Sequence, residues 1–492
     1  MEENNVHIAR YSGLKLKDYM AYACGDLGIC LGFTLQSALI QTYYTDCLLL
    51  HPLFVMIMFV LARIWDGIND PMMGRICDRM KPNRFGKYKR WFLYGAIPFA
   101  ATIFLMFIKW PGFGVTPTNV WVYIYATVTY VLFGMAMTAI QIPYGSLASV
   151  VTLNQKERSK LSIWRSIGSS IGSLPVILVS SLAFKSTGVD YTVLIIGISI
   201  MSALAILFLM LAFLGNKERA PIPEPQPRVK GAMRAGIKRI FSTRSMIAIC
   251  IISAIFLAGS MFSTGYYTYI IRQYFNRSGF LTMLPSFFVV LVAFILMFFL
   301  QKITYKFGKK EVCTVGMALA AIANLCMLFL LNKGISTGIL VGFFILNFLS
   351  CFGSGVLNMA VWGMATDAID DIQLKHGIRE DGTSYALFMF FRKCGQALSA
   401  ITINGSLLAF GYSYNPGEKA HFTSEQLQTM FILASVIPAA LYGVCTVLFI
   451  FWFPINKKRL MEIEQEKEKF LSRDNIKIKG PIYKSKKIGN DK

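Results

Sequence analysis

The stretch PLFVMIMFVLARIWDGINDPMMG, residues 52–74, starts as an unbroken apolar run and then places two carboxylates inside it. About 20 apolar residues of helix are needed to cross the hydrocarbon core of a bilayer. Because no water there can satisfy backbone N–H and C=O groups, such a run must be a helix that satisfies them internally. Asp66, Asn69 and Asp70 then follow i, i+3, i+4 spacing, which stacks them on one helix face. A carboxylate near mid-membrane costs about 2.5 to 3.5 kcal/mol on insertion scales, so two on one face call for a partner, water or a function. Carboxylates flanking an amide supply hard oxygen ligands for a small cation such as Na+, or a site that holds a proton. A blander reading is also open, in which Arg63, one turn earlier, neutralises Asp66 and Asp70 is a helix-end residue at the interface.

Working outward, eleven further apolar runs lie near 20–44, 91–108, 120–145, 162–184, 192–214, 246–271, 280–300, 312–332, 336–364, 384–410 and 428–453, so twelve spans are expected. The chain of 492 residues is 55% hydrophobic and 15% charged, against roughly 25% charged for soluble proteins, which removes soluble enzymes and disordered chains. The net charge of +23 would suggest nucleic acid in a soluble protein, but here the basic residues sit in blocks between the runs. With both termini cytoplasmic and the tail set aside, 27 basic residues fall on the inner side and six, Lys109, Lys185, Arg272, Arg277, Lys333 and Lys419, on the outer. That asymmetry orients the bundle and removes the case for a nucleic-acid partner. The expected organisation is a cytoplasmic N-terminus at 1–19, six helices in 20–215, a basic Pro-containing linker at 216–245, six helices in 246–453, and a cytoplasmic tail at 454–492. RFGKYKRW at 84–91 is echoed by YKFGKKEV at 305–312, each after the second helix of its half, as in transporters built from two repeats. The basic loop 75–90, with Asp78, is a candidate latch for the inner side; ordinary positive-inside charge explains the same residues.

Other polar groups also fall inside spans. Arg165 opens span 5, and Lys393 lies about nine residues into span 11; either can close a charge network with the span 2 acids. Asp26 on span 1 is a further candidate. Thr138, Gln141 and Tyr144 on span 4, Tyr266 on span 7, Trp362 on span 10 and Gln396 on span 11 offer amides, hydroxyls and ring faces suited to a sugar, though singly such groups more often bond helix to helix. Ten scattered cysteines without a CxxC pair indicate neither a disulfide framework nor a zinc site. GSSIG at 168–172 matches G-x-S-x-G, but it lies within a span, and no histidine falls inside any span to activate Ser170. Close helix packing by small residues explains it, and no enzymatic activity or cofactor is expected. The polar N-terminus shows no cleaved signal segment.

Read together, Y-x-x-G-D at 22–26, YYTD at 43–46, RIWDGINDPMMG at 63–74, RFGKYKRW at 84–91, QIPYGSL at 141–147, KERSKLSIWR at 156–165, YYTY at 266–269, WGMATDAIDD at 362–371 and GIREDG at 377–382 carry a resemblance. Over about residues 18–455 the chain resembles the glycoside-pentoside-hexuronide:cation symporters, the branch of the major facilitator superfamily that includes the melibiose transporter. The resemblance implies an all-α integral membrane bundle of 12 helices in two six-helix halves, working in the plasma (inner) membrane. It implies coupled uptake of a sugar with Na+, Li+ or H+ by a protein functional as a monomer. By motif match, Asp66 and Asp70 carry the cation role with Asn69 and Thr138 assisting, and Lys393 links the halves. Ile29 and Cys30 stand where the melibiose branch has a Lys-Asp pair, Gln141 where it has a sugar-binding Asp, and Gly145 where it has a Trp. Those departures point to a remodelled pocket for a pentoside, hexuronide or other glycoside. Animal lysolipid symporters share the scaffold and are the competing reading.

Overall fold

The computed structural model describes residues 13–109, 119–152, 154–185, 188–219, 239–277, 281, 284–333, 336–377, 381–409 and 423–473. Residues 1–12, the greater part of the expected linker and the tail beyond 473 lie outside the described residues, as do the side chains of Gln41 and Asn404. Helices occupy all twelve apolar runs: α1 Leu16–Thr42, α2 Pro52–Arg79, α3 Arg90–Met106, α4 Val120–Val151, α5 Gln155–Ala183, α6 Tyr191–Gly215, α7 Arg244–Tyr269, α8 Leu284–Phe307, α9 Lys309–Cys326, α10 Thr337–His376, α11 Asp381–Ala409 and α12 Ser424–Phe451. A further helix, α13, Lys457–Arg473, begins the tail. The described β-structure in strands is a two-residue hairpin, Phe184–Lys185 with Gly188–Val189. Eight helices, α4 to α10 and α12, are apolar and long enough to cross a membrane on composition alone. The other four, α1, α2, α3 and α11, are the shortest or hold most of the intramembrane charge.

The helix ends follow side-chain chemistry. Asn119 caps α4 by accepting from the Trp121 amide at 3.1 Å, Asp190 caps α6 from Val193 at 3.3 Å, and Thr423 with Gln426 forms a capping box on α12. Gly377, at φ 68°, ends α10 in the left-handed conformation that glycine adopts without a Cβ penalty. Helix α2 shows why a charged sequence stays in an apolar bundle. Ile57, Leu61, Ile64, Ile68, Met72 and Ile76 are exposed at three- and four-residue spacing, while Asp66, Asp70, Met73 and Cys77 on the opposite face are buried. One face meets lipid and the other meets protein.

Packing repeats with an offset of six helices. In the first group α1 packs on α5 and α6, α2 on α4, and α3 on α4 and α6; in the second α7 packs on α11 and α12, α8 on α10, and α9 on α10 and α12. The principal contacts between groups, α2 with α11, α4 with α11, α5 with α8 and α5 with α10, map onto each other under the same offset, as a two-fold relation requires. Local detail repeats too. Both α1 and α7 end in a π-turn, Tyr43–Cys47 and Ile270–Tyr274, and the echoed loops place Gly86 at φ 94° and Gly308 at φ 104°. A side chain at either glycine would be strained, so the shared FGK element is a backbone requirement.

Candidate functional site

The acidic face of α2 meets α4 and α11. Asp70, fully buried, accepts from Thr138 Oγ1 at 2.8 Å and from Lys393 Nζ at 2.8 Å. Lys393 also lies 3.4 Å from Asp66 Oδ1 and from Thr138 Oγ1. A single ammonium from the second group is thus held between two carboxylates of the first. Breaking such a buried pair by deleting one member costs about 3–5 kcal/mol, because the remaining charge has no water to turn to. Asp70 is therefore not the interfacial helix-end residue of the blander reading. The Arg63 contact of that reading does exist, at 3.3 Å to Asp66, but Arg63 is 28% exposed and can exchange its partner for water. Without Arg63 the cluster carries one net negative charge, the requirement for a monovalent cation. Asn69 is half-buried on the same face, and its Nδ2 has no hydrogen-bond partner among the described residues.

Arg165 does not join the α2 acids. It pairs with Asp26 of α1 at 3.3 Å, and both are buried, so Asp26 is not exposed at an interface. The Arg165 guanidinium lies 3.7 Å from the Trp362 ring centroid and 4.5 Å from that of Tyr144, which is itself stacked on Tyr22 at 4.7 Å. Desolvated cation–π contacts of this kind contribute about 2 kcal/mol or more. Tyr385 of α11 closes the group, with its ring 6.2 Å from Trp362. It occupies the space that Gly145 leaves: a Cβ at Gly145 would lie 1.8 Å from Tyr385 Cζ. The aromatic ring missing from α4 is supplied from the other group of helices. Gln141 is half-buried one turn before Tyr144, and Gln396 is half-buried one turn beyond Arg392. Tyr266 lies elsewhere, stacked on Phe262 at 4.8 Å in an apolar cluster with Tyr267, Phe343 and Phe431. The structure thus gathers Asp26, Tyr144, Arg165 and Trp362 at the centre, and separates Tyr266 from them because its face of α7 packs within its own group. Some polar spans do serve as helix-to-helix bonds, as Gln36 does in donating to Tyr130 at 2.6 Å.

The end of the bundle where α1 begins and α12 ends is sealed between the two groups. Asp78, at the end of α2, accepts from the Gly382 and Thr383 amides at 2.7 and 2.8 Å and from Thr383 Oγ1 at 2.6 Å. It thereby caps α11 across the interface, where the partial positive charge of the helix N-terminus favours a carboxylate. Burial still pushes the Asp78 carboxyl up to about 6, against the lowering effect of those hydrogen bonds. Gly74 and Gly382 touch backbone to backbone, since a Cβ on Gly74 would lie 2.5 Å from the Gly382 carbonyl oxygen. On the opposite side Arg158 pairs with Asp370 at 2.5 Å, and Ser162 donates to the Met359 carbonyl at 2.5 Å. In the 84–91 loop the amides of Lys87, Tyr88 and Lys89 all donate to Glu218 at 2.7 to 2.9 Å. The residues that sequence reasoning left out of the site are Arg392, Tyr385 and Glu218. Arg392 was open to the same rule that picked out Lys393, a charge inside a span; Tyr385 and Glu218 carry no local signal.

A family profile described as MFS/sugar transport protein matches residues 21–457. The chain belongs to this family of sugar transporters. Membership makes it a multi-pass membrane protein whose cargo is a small sugar-type molecule. The MFS chain is 26% identical over 465 residues to a putative sulfoquinovose importer of Escherichia coli K12, covering 93% of this chain and 95% of the relative. It is 27% identical over 477 residues to the inner membrane symporter YicJ of the same organism, covering 91% and 95%. Its fold is also that of the E. coli fucose:proton symporter, at 13% identity and a TM-score of 0.61, covering 89% of this chain and all of that one. The all-helical bundle expected of this family is the one observed, and eight of its helices are long and apolar enough to cross a membrane.

Proposed function

We propose that this protein is a secondary active symporter of the inner membrane that takes up a sugar or sugar acid together with one monovalent cation, Na+, Li+ or H+. One observation carries the reading: Lys393 of the second helix group is held between Asp66 and Asp70 of the first, at 3.4 and 2.8 Å. A cation or proton entering there competes with the ammonium, so its occupancy changes the electrostatic tie between the halves. The substrate sits beside it among Asp26, Tyr144, Arg165 and Trp362, with Gln141 and Gln396 at the rim. Alternating access follows if the halves rock about this centre, and reciprocity requires that substrate tighten cation binding by the factor by which the cation tightens substrate. With both termini cytoplasmic, as the basic loops favour, the sealed end is the inner one and the carrier is poised to load from outside. The working unit is one chain, and the sulfosugar import and symport for which these relatives are named support the assignment.

The test is uptake into vesicles with Na+ and H+ gradients imposed separately, using a sugar panel and lysophosphatidylcholine. Gradient-driven accumulation of a sugar that is lost in Asp66→Asn and Asp70→Asn, with the variants still in the membrane, is the expected result. Undiminished accumulation in both variants, or transport of lysolipid alone, refutes the assignment.

A further inference from the structure

Arg392 and Lys393 are neighbours on α11, yet adjacent helix positions point about 100° apart. Lys393 reaches the α2 acids, whereas the Arg392 guanidinium lies 4.5 Å from the Trp362 ring centroid and 5.8 Å from that of Phe388. Arg392 is 7% exposed, its Nη1 has no hydrogen-bond partner, and among the described residues it forms no ion pair. It lies eleven residues into a 29-residue helix, close to mid-membrane. The acid on this side, Asp26, is already engaged by Arg165 at 3.3 Å. Asp26, Arg165 and Arg392 therefore leave one net positive charge buried at the centre of the carrier, next to the buried Asp66, Asp70 and Lys393 of the α2 cluster, which sum to one net negative charge when the partly exposed Arg63 is left to water.

A guanidinium stripped of water, with no ion pair of its own and only the field of Asp26, shared with Arg165, to balance it, is costly in a membrane protein unless a further anion arrives with the ligand. Its planar fork fits the two oxygens of a carboxylate or sulfonate, with Trp362, Phe388 and Tyr385 forming an apolar wall for the rest of the molecule. We propose that Arg392 anchors an acidic group of the substrate, so that the transported molecule is an anionic sugar and not a neutral glycoside. This rests on the symport reading above and narrows it. It also gives coupling a physical basis. The anion cancels the positive charge beside Trp362, and the cation cancels the negative charge on α2. A carrier loaded with both presents a balanced centre, whereas one loaded with either alone must carry a buried net charge through the conformational change.

The experiment uses the full-length protein in lipid nanodiscs and measures binding of matched pairs, methyl β-D-glucuronide against methyl β-D-glucoside and sulfoquinovose against glucose. Vesicle uptake of the same four compounds accompanies it. The anionic member of a pair should bind at least about tenfold more tightly, and Arg392→Gln should weaken it about 30-fold while changing the neutral member by less than about threefold. Arg392→Lys, which keeps a charge but not the fork, should restore part of the loss, and unchanged neutral binding shows that both variants are folded. Equal affinity within the pairs overturns the inference. So does equal weakening of both members in Arg392→Gln, which would make the residue a packing partner of Trp362 only. Inorganic sulfate competing as strongly as the glucuronide would make this a free-anion site and overturn it too. Cation-driven uptake of the neutral sugars alone refutes the anion anchor and leaves symport standing, whereas no cation-driven uptake of any sugar refutes the symport reading itself.

Discussion

Gly145→Ala tests the central contact between the two helix groups with the smallest change available. The added Cβ would lie 1.8 Å from Tyr385 Cζ and 2.0 to 2.2 Å from the neighbouring ring carbons, so the ring must leave its place. Tyr385 is 1% exposed and packs on Trp362 at 6.2 Å and on Phe388 at 6.0 Å, which leaves it little room to rotate within the closed bundle. Overpacking of this kind costs about 1–3 kcal/mol. The clash exists only while α4 and α11 are together, so the cost falls on the sealed conformation and shifts its equilibrium with an open one by about 5- to 150-fold. Spin labels at Asn83→Cys and His376→Cys, exposed positions on opposite groups at the sealed end, report the change by pulsed electron resonance in a background where exposed Cys394 is Ser. Gly145→Ala should move the distance distribution to longer values, and adding Tyr385→Ala should bring much of it back. In a double-mutant cycle the pair should fall short of additivity by at least about 1 kcal/mol. An unchanged distribution in Gly145→Ala, or a cycle additive within about 0.5 kcal/mol, refutes the contact.

Three further outcomes follow from the same geometry. Lys393→Met leaves the fully buried Asp70 without its ammonium and should destabilise the protein by about 3–5 kcal/mol. A cation that binds there at 100 times its Kd should restore about 2.7 kcal/mol, read as melting temperature in NaCl or LiCl against choline chloride; a wild-type melt indifferent to cations and acid goes against the site. Asp78 has its carboxyl raised to about 6 in the sealed state and returns toward the ordinary value near 4 when water enters. The sealed state therefore binds the proton more tightly, so closure gains as pH falls below about 6 and has gained about 3 kcal/mol below about 4. The same spin-label distances between pH 7.5 and 4 follow it; Asp78→Asn should abolish the dependence, and opening on acidification contradicts it. Glu218→Gln should cost about 1–3 kcal/mol by weakening three amide contacts. Gly86→Ala should do similar damage, since its φ is +94° and its Cβ would lie 2.8 Å from Glu218 Cδ, and the double variant should melt no lower than the worse single.

Helix number and the inward face of α2 were legible because hydrophobic length and i, i+4 spacing are local properties, and a charge inside a span announces itself by its cost. That reasoning picked out Asp66, Asp70, Lys393, Asp26 and Arg165 as residues in need of partners. It did not say which acid each base would take, since pairing across helices depends on rotation and depth that no single run encodes. Arg165 accordingly went to Asp26 and not to α2. Gly145 read as a lost aromatic ring and proved to be the vacancy that Tyr385 fills from a helix 240 positions later in the chain. Glu218 looked like a linker residue and binds the loop glycine element between α2 and α3. Each such partnership spans more than a hundred residues, and short-range pattern is blind to it.

The sealed end joins two interfaces by different chemistry, and the difference bears on how it can open. Where α2 meets α11, Gly74 and Gly382 are in backbone contact and Asp78 caps the helix, so the match is steric and directional. Separation there frees amides that water can satisfy, at a modest net cost per hydrogen bond of about 1 kcal/mol. Where α5 meets α10, the Arg158–Asp370 ion pair and the Ser162 hydrogen bond hold groups that regain full hydration on exposure. An end built this way closes in one register because the Gly74–Gly382 contact permits no other, while its polar contacts separate for a few kcal/mol. That is the range a change of charge at Asp66, Asp70 and Lys393 can supply, and so the small charged centre can govern the much larger contact.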